Sequence, residues 1–242
     1  MPGLHGPLRV RGALEAPGQA LVRLRHGAES VPGKAAPDPE LRLQEARLYV
    51  ITPDAEPERI IEVAAAAVRG GADVLQLRHK TLPRGLLLEL ARELRRLLSD
   101  RLFIVNDHVD IALLSGADGV HLGPDDISIE AARTIAGARL LIGVSASTVD
   151  AARGALAADY FGSGPAFATP IKTNKKVIGP RGIADIASAV EPKPVFAIGG
   201  IDEHNVAELT SIGIRRVCVI RAVAESADPE QAVRRLRAML TA

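Results

Sequence analysis

The fold is decided by residues 47–80, which read RLYVITPDAEPERIIEVAAAAVRGGADVLQLRHK. A short apolar, β-branched run at 47–52 precedes a segment of helical period at 56–69, and a second apolar run follows at 72–78. Pro57 opens the helical segment and a glycine pair closes it, which is the asymmetry expected at the two ends of a helix. The stretch therefore predicts a strand, a helix and a second strand, the repeating unit of a parallel sheet.

The same alternation continues to the end of the chain. The predicted strands cover residues 47–52, 72–78, 102–107, 119–123, 141–146, 160–165, 195–200 and 216–220. The predicted helices cover residues 56–69, 84–98, 108–115, 128–135, 149–157, 182–189, 203–211 and 229–240. Eight such repeats in about 194 residues favour an α/β fold of the (β/α)8 type, a TIM barrel, over an open doubly wound sheet. A dinucleotide site is disfavoured as well, because no Gly-x-Gly-x-x-Gly follows the first strand.

The first 40 residues differ in composition from the rest of the chain. They hold 12 Gly and Pro residues and show no helical apolar period. We expect residues 1–46 to form a flexible Gly/Pro-rich extension, with a partner-binding arm as the alternative. The TIM-barrel catalytic domain is expected to cover residues 47–242.

Composition excludes several classes of function. The 30 Lys and Arg residues nearly balance 29 Asp and Glu, and only 2% of residues are aromatic, so neither a positive field nor a stacking surface for nucleic acid is expected. No apolar stretch approaches the roughly 18 residues of a membrane-spanning helix. The single cysteine, Cys218, allows no internal disulfide and lies between two valines, as a core residue would. We expect a soluble, cytoplasmic protein that binds no nucleic acid or membrane.

Polar residues gather at the carboxyl end of the second predicted strand, where a TIM barrel has its active site. Period 2 places Gln76, Arg78 and Lys80 on one face of this strand, while Leu75 and Leu77 take the other. Two cations at a strand end suit an anionic ligand. The alternative is a solvated strand end with surface charges.

Carboxylates follow the next two strands. Asp107 comes directly after strand three and Asp126 shortly after strand four. Mg²⁺ is commonly held by one or two protein carboxylates together with substrate phosphates, and Arg78 and Lys80 would complement those phosphates. The pair therefore predicts a magnesium-diphosphate site. Helix capping is the alternative for both aspartates, at the helices predicted to begin at residues 108 and 128.

Two later segments also suit a phosphate. The long loop after strand six carries Lys172, Lys175, Lys176 and Arg181, and long loops on compact scaffolds tend to bind ligands. Strand seven ends in Gly199-Gly200, in the region where TIM barrels often bind phosphate. A tight turn is the alternative reading of the glycine pair.

His121 alternates with Val120 and Leu122 in the fourth strand. The sequence contains no pair of histidines at the spacing of zinc ligands. We therefore expect His121 to be a hydrogen-bonded residue of the barrel interior rather than a metal ligand.

The ordered set of motifs closely resembles thiamine phosphate synthase over about residues 47–240. The motifs that carry this resemblance are LYVIT at 48–52, QLRHK at 76–80, ND at 106–107 with VD at 109–110, GADGVHLG at 116–123, GVSA at 143–146, GSGP at 162–165, TPIK at 169–172 and IGGI at 198–201. The resemblance implies a transferase that joins 4-amino-2-methyl-5-(diphosphooxymethyl)pyrimidine to a thiazole phosphate. The products would be thiamine phosphate and diphosphate.

The resemblance also implies roles for individual residues. The pyrimidine diphosphate would be held by Gln76, Arg78, Lys80, Asn106, Ser145 and Lys172, with Arg78, Lys80 and Lys172 as the catalytic cations. Mg²⁺ would be bound by Asp107 and Asp126. The thiazole phosphate would face Thr169, Gly199 and Gly200. Ile220 and Arg221, at the end of strand eight, are further candidates for substrate binding.

Three positions depart from the family pattern. Ile171 stands where a second threonine is customary, Ser147 where a histidine is often found, and Arg221 where a small serine is usual. Arg221 could clamp the phosphate or crowd it. Because the changes cluster on the thiazole side, they concern the second substrate more than the first.

Two other functions stay open at this stage. A thiazole tautomerase on the same barrel would not need the metal-diphosphate half, which this sequence retains. A non-catalytic barrel that binds a phosphorylated metabolite is the other alternative. The oligomeric state is not set by the sequence, although a homo-oligomer is possible.

Overall fold

The computed structural model describes residues 38–98, 100–169 and 176–241. In these ranges the strands are β1 Leu48–Ile51, β2 Val74–Leu77, β3 Leu102–Asn106, β4 Gly119–Leu122, β5 Leu141–Ala146, β6 Tyr160–Ser163, β7 Val195–Ile198 and β8 Val217–Val219. The helices are α1 Pro39–Glu45, α2 Pro57–Gly70, α3 Arg84–Leu97, α4 Val109–Ser115, α5 Ile129–Ala136, α6 Val149–Gly154, α7 Gly179–Val190, α8 Val206–Thr210, α9 Arg221–Ala224 and α10 Pro229–Thr241.

The strands form a closed parallel barrel in the order β1 to β8. Each strand pairs with its neighbours in sequence, and the seam closes where β1 pairs with β8, with Leu48 opposite Val217 and Val50 opposite Val219. The predicted TIM barrel is therefore confirmed. Among the described residues, no helix has both the length and the apolarity that crossing a lipid bilayer requires.

Strand alternation divides the buried side chains into two layers. The barrel interior contains Tyr49, Ile51, Val74, Leu102, Ile104, Leu141, Tyr160, Phe196 and Cys218. The larger outer layer, between strands and helices, includes Leu75 and Leu77. Val74 and Gln76 therefore lie on the inner face of β2, as its period-2 pattern predicted, and Cys218 is a core residue.

Helix α1 lies inside the segment that the sequence assigned to the extension. Leu43 of this helix is 2% exposed, and Ala46, which follows the helix, is 1% exposed. Both belong to the buried cluster of the barrel interior. The part of the chain that packs with the barrel therefore includes α1 and does not start at residue 47, and residues 1–37 lie outside the described ranges.

Two helices near the C-terminus also differ from expectation. The segment predicted as a helix over 203–211 is helical only over Val206–Thr210. The short helix α9 directly after β8 was not predicted, because four residues are too few to show an apolar period. Helix α9 begins at Arg221 and therefore places the N-terminal end of a helix beside the end of β8.

Candidate active site

A cavity of about 450 Å³ opens at the carboxyl ends of the strands. Nine predicted site residues line it: Gln76, Arg78, Asn106, Ser145, Thr169, Gly199, Gly200, Ile220 and Arg221. Residues predicted to bind each of the two substrates therefore line the same cavity. Lys172, predicted as a catalytic cation, lies outside the described residues, as does Ile171.

Neighbouring residues hold the β2 side of the cavity in place. The backbone N–H of Arg78 donates to the hydroxyl of Thr52, a fully buried side chain after β1, over 3.0 Å. The Arg78 guanidinium lies 3.7 Å from a carboxylate oxygen of Asp54. Gln76 is only 2% exposed and donates from Nε2 to the hydroxyl of Tyr49 over 2.7 Å. These contacts direct one cation and one amide towards the cavity, and sequence reasoning missed both Thr52 and Asp54.

Lys80, Asp107 and Asp126 form a charged cluster beside this cavity. Lys80 Nζ donates to Asp107 Oδ2 over 2.6 Å, and the backbone N–H of Gly123 donates to Asp126 Oδ2 over 2.7 Å. Burial and a hydrogen bond with Asp107 raise the pKa of Asp126 above its ordinary value. Burial also pushes the pKa of Asp107 upwards, but hydrogen bonds from Lys80 and Asp126 outweigh it, so the net pKa is lowered. The two carboxyl groups therefore lie close enough to share a proton.

The backbone at Asp107 is unusual. Among the described residues it is the one non-glycine residue with a positive φ, at 65°. Its N–H donates to the carbonyl oxygen of His121 over 2.9 Å, which fixes this turn against β4. Left-handed backbone is costly for most side chains and, where it persists, is often found at functional sites.

Neither aspartate caps a helix. The residue at the N-cap of α4 is His108, whose side chain makes no capping hydrogen bond. At α5 the cap is Ser128, whose hydroxyl accepts from the N–H of Ala131. The capping alternative is therefore wrong for both Asp107 and Asp126.

The glycine pair after β7 allows two loops to touch. Gly199 and Gly200 have φ values of 101° and 68°, and a Cβ on Gly200 would lie 2.6 Å from the carbonyl oxygen of Ala168. The N–H of Phe167 donates to the carbonyl of Gly199 over 2.9 Å. The pair therefore serves a close approach of backbones, and it also lines the cavity at the side predicted for the second phosphate.

Arg221 is paired with an acidic side chain of the same helix region. Its Nε donates to Oε2 of Glu225, one turn further along, over 3.0 Å. Both residues line the cavity. Glu225 was not predicted as a site residue, although its i+4 spacing from Arg221 was visible in the sequence.

The centre of the cavity floor is polar. His121 Nε2 lies 3.0 Å from the hydroxyl of Ser145, and its Nδ1 lies 3.3 Å from the hydroxyl of Tyr160. This confirms a hydrogen-bonded histidine of the barrel interior. It also places His121 against a predicted substrate residue, a contact between β4 and β5 that sequence spacing could not reveal. Tyr49 and Tyr160 were missed, although strand alternation points both inwards.

Fold and cavity together define a class of protein, the (β/α)8 barrels, whose functional sites lie at the carboxyl ends of their strands. A family model described as thiamine monophosphate synthase matches residues 48–223. The chain belongs to this family.

Individual relatives agree with this membership. The chain is 44% identical over 200 residues to a thiamine-phosphate synthase of Anaeromyxobacter dehalogenans, with 81% of this chain and 88% of the relative covered. It is also 44% identical over 199 residues to a thiamine-phosphate synthase of Thermosynechococcus vestitus, where 81% of this chain covers 56% of the relative. The chain thus spans about half the length of some curated relatives and most of others.

A solved structure has the same fold. The thiamine phosphate pyrophosphorylase from Pyrococcus furiosus superposes with a TM-score of 0.75 at 38% identity, covering 83% of this chain and 98% of that one.

Proposed function

We propose that this chain is a thiamine phosphate synthase. It condenses 4-amino-2-methyl-5-(diphosphooxymethyl)pyrimidine with a thiazole phosphate and releases diphosphate. The observation that carries the proposal is the arrangement of the cavity in a chain of this family: Gln76, Arg78 and Asn106 line it beside the Lys80–Asp107–Asp126 cluster. One end therefore suits a diphosphate on an aminopyrimidine, and the glycine turn and Arg221 suit a second phosphate at the other.

In the pyrimidine half, polar groups would fix the ring and cations would hold its diphosphate. Gln76, Asn106 and Ser145 line the cavity and offer hydrogen bonds to ring nitrogens and the amino group. Arg78 presents a planar fork of N–H donors, the geometry that pairs with phosphate oxygens. Lys80 lies nearby as a compact charge held by Asp107.

The Asp107–Asp126 pair fits a divalent cation. Two carboxyl groups that interact with each other offer oxygen ligands at one place, where a divalent cation would lower their repulsion. In the described ranges no group of three or more His, Cys, Asp or Glu side chains is placed to hold a metal. A bound Mg²⁺ would therefore take its remaining ligands from diphosphate oxygens and water, as Mg²⁺ commonly does, and would supply positive charge to the leaving group.

We infer a dissociative reaction. The bond between the pyrimidine methylene and the diphosphate oxygen breaks first, and the electron-rich aminopyrimidine delocalises the positive charge left on its methylene. Arg78 and Lys80 stabilise the negative charge that builds on the leaving oxygens, and preorganised charges of this kind usually make the largest single contribution to catalysis. The thiazole nitrogen then attacks the methylene, so no protein nucleophile takes part.

The thiazole half would be held through its phosphate. Gly199 and Gly200 leave the backbone accessible at the cavity wall, and α9 begins at Arg221 beside them. Thr169 lines the same side and offers a hydroxyl. With Arg221 as a cation, this end suits one phosphate monoester.

The test is a steady-state assay of the full chain with both precursors, with and without Mg²⁺. We expect thiamine phosphate and diphosphate in equal amounts, and loss of turnover with a chelator. Asp126→Asn should lower kcat by roughly 100-fold or more, the scale of losing a group that stabilises transition-state charge. Asp125→Asn, at the exposed neighbouring acid, is the matched control and should leave kcat near the wild-type value.

Two results would reject the synthase. Metal-independent isomerisation of the thiazole phosphate, without condensation, would identify a tautomerase. Binding of either precursor without turnover would identify a non-catalytic barrel. We further propose a cytoplasmic location, on the basis of the lone thiol at Cys218 and the small phosphorylated substrates.

A further inference from the structure

A continuous chain of hydrogen bonds crosses the barrel interior beneath the cavity. Gln76 Nε2 donates to the Tyr49 hydroxyl over 2.7 Å, and that hydroxyl lies 3.1 Å from the Tyr160 hydroxyl. The chain continues to His121 Nδ1 over 3.3 Å, and from His121 Nε2 to the Ser145 hydroxyl over 3.0 Å. We call these five residues, which come from five different strands, the hydroxyl relay.

The two tyrosines at its centre are fully enclosed. Tyr49 is 2% exposed and Tyr160 is 0% exposed, and both rings pack edge-on against Phe196 at centroid distances of 5.3 and 6.0 Å. A Cβ on Gly143 would lie 2.0 Å from Cζ of the Tyr160 ring, so the absent side chain leaves the space that this ring fills. Close packing of the rings therefore sets the position of each hydroxyl. Because a buried hydroxyl is costly without a hydrogen bond, each one must bond to another group in the barrel interior.

Counting donors gives the relay a direction. An amide NH2 group can only donate, so the Tyr49 oxygen accepts from Gln76. The Tyr49 proton then goes to the Tyr160 oxygen, and the Tyr160 proton goes to His121 Nδ1. Burial raises the pKa of both tyrosines above the ordinary value, which keeps both hydroxyls protonated and able to donate.

The direction fixes the state of the last two residues. If Nδ1 of His121 accepts, a neutral ring carries its proton on Nε2, and that proton points at the Ser145 oxygen. Ser145, which lines the cavity, is then left with its own proton to donate to a ligand. A cavity donor on β5 is thus set by an amide on β2, at the opposite end of the relay.

We propose that the hydroxyl relay holds neutral His121 as its Nε2–H tautomer and so presents Ser145 as a hydrogen-bond donor, and Gln76 in a fixed orientation, to the first substrate. Tyr49, Tyr160 and His121 are positioning residues in this proposal, because Gln76 and Ser145 make the contact with the ligand. The identity of that ligand as the aminopyrimidine rests on the proposed function. The tautomer does not.

The first experiment measures the tautomer in the full chain. Nitrogen NMR of the histidine rings, with the His121 signals assigned by their loss in His121→Gln, should show the Nε2–H form in the wild type. Tyr160→Phe should remove this preference, whereas Ser115→Ala, which deletes a buried hydroxyl that bonds only within α4, should preserve it. A wild-type ring protonated on Nδ1 would overturn the direction of the relay.

The second experiment measures substrate binding. Tyr49→Phe and Tyr160→Phe should each raise the Kd of the pyrimidine diphosphate by roughly 3- to 10-fold, the scale of one hydrogen bond, and leave the KM of the thiazole phosphate unchanged. The double variant should lose less than the product of the single effects, because the two hydroxyls bond to each other. Urea unfolding of each variant checks that it folds.

The outcomes separate the two proposals. Equal effects on both substrates, or unchanged Kd in both phenylalanine variants, would reject the relay as a positioning device. If the wild-type chain forms no thiamine phosphate, the proposed function fails, while the nitrogen spectra still decide whether the relay sets the tautomer.

Discussion

Arg221 is the cavity residue for which the sequence predicted a contact with the second phosphate. It lies at the end of β8, lines the cavity and is paired with Glu225. The pair is partly exposed, with side chains 42% and 63% accessible, so the ion pair itself stabilises the fold little. Its effect is expected on ligand binding, because an incoming phosphate competes with Glu225 for the guanidinium.

We predict that Arg221→Ser raises the KM of the thiazole phosphate by about 10-fold, the scale of one charge-assisted contact to phosphate. The KM of the pyrimidine diphosphate should change much less, because its cations Arg78 and Lys80 follow β2 and are separate from Arg221 at the end of β8. Steady-state kinetics with each substrate varied in turn gives both values. Equal changes in both would reject the phosphate contact.

Two variants serve as controls for this prediction. Glu225→Gln removes the competing carboxylate and should leave the KM of the thiazole phosphate the same or lower. Arg234→Ser breaks a similar i,i+4 pair with Glu230 on α10, which is not among the cavity residues, and should change neither KM.

At the scale of elements, helix α1 joins the barrel through few residues. We predict that Leu43→Ala lowers the free energy of unfolding by about 2 to 4 kcal/mol, because it empties a buried site in the barrel-interior cluster. Leu41→Ala on the same helix is the control, since Leu41 is 55% exposed and its loss should cost well under about 1 kcal/mol. Urea unfolding at equilibrium measures both. A similar small cost for the two variants would show that α1 adds nothing to the barrel.

A second prediction at this scale concerns the close approach of the loops after β6 and β7. Gly200 is needed there because its φ is positive and because a Cβ would meet the backbone of the other loop. We predict that Gly200→Ala destabilises the fold by about 2 to 3 kcal/mol more than Gly213→Ala. Both positions have positive φ, but only at Gly200 would the new Cβ meet backbone, whereas at Gly213 nothing lies within 4 Å. Unfolding free energies of the two variants isolate the steric part. If the two costs are the same, the close approach of the loops is unimportant.

At the scale of the whole molecule, Asp73 ties the start of the barrel to its last helix. Its carboxylate accepts from the backbone N–H groups of Arg47 and Leu48 over 2.9 and 3.0 Å, and from Arg237 of α10 over 2.6 Å. Asp118 and Asp159 repeat this arrangement at the starts of β4 and β6, where they accept from Phe103 and Ile142.

We predict that Asp73→Ala lowers the free energy of unfolding by about 2 to 3 kcal/mol, since it strands two part-buried N–H groups at the barrel seam. Unfolding should remain a single cooperative transition, because the seam strands β1 and β8 stay paired. Asp185→Ala, at an exposed site on α7, is the control and should lie within about 0.5 kcal/mol of the wild type. A loss confined to α10, seen as a separate early transition, would contradict this account.

Local pattern was sufficient for the barrel and for most of the cavity. Apolar runs at strand length alternating with helical periods predicted the strands of the closed barrel, and period 2 in β2 placed Gln76 and Arg78 on the face that lines the cavity. Helix α1 was missed because it is only seven residues long and buries one side chain, Leu43, which is too little for an apolar period to show. The short α9 has too few residues for any period to show.

The sequence by itself determined the class of fold and the end of the barrel where the cavity-lining polar residues gather, because hydrophobic period and the polar residues at strand ends are local properties of the chain. Only the tertiary structure decided which of those polar residues touch. Packing sets the orientation of the groups that make these contacts. Examples are the pair Lys80 and Asp107, the pair Arg221 and Glu225, and the hydroxyl relay. Tyr49 and Tyr160 are 111 residues apart in sequence, and their hydroxyls meet because barrel closure brings β1 and β6 to face each other across one interior.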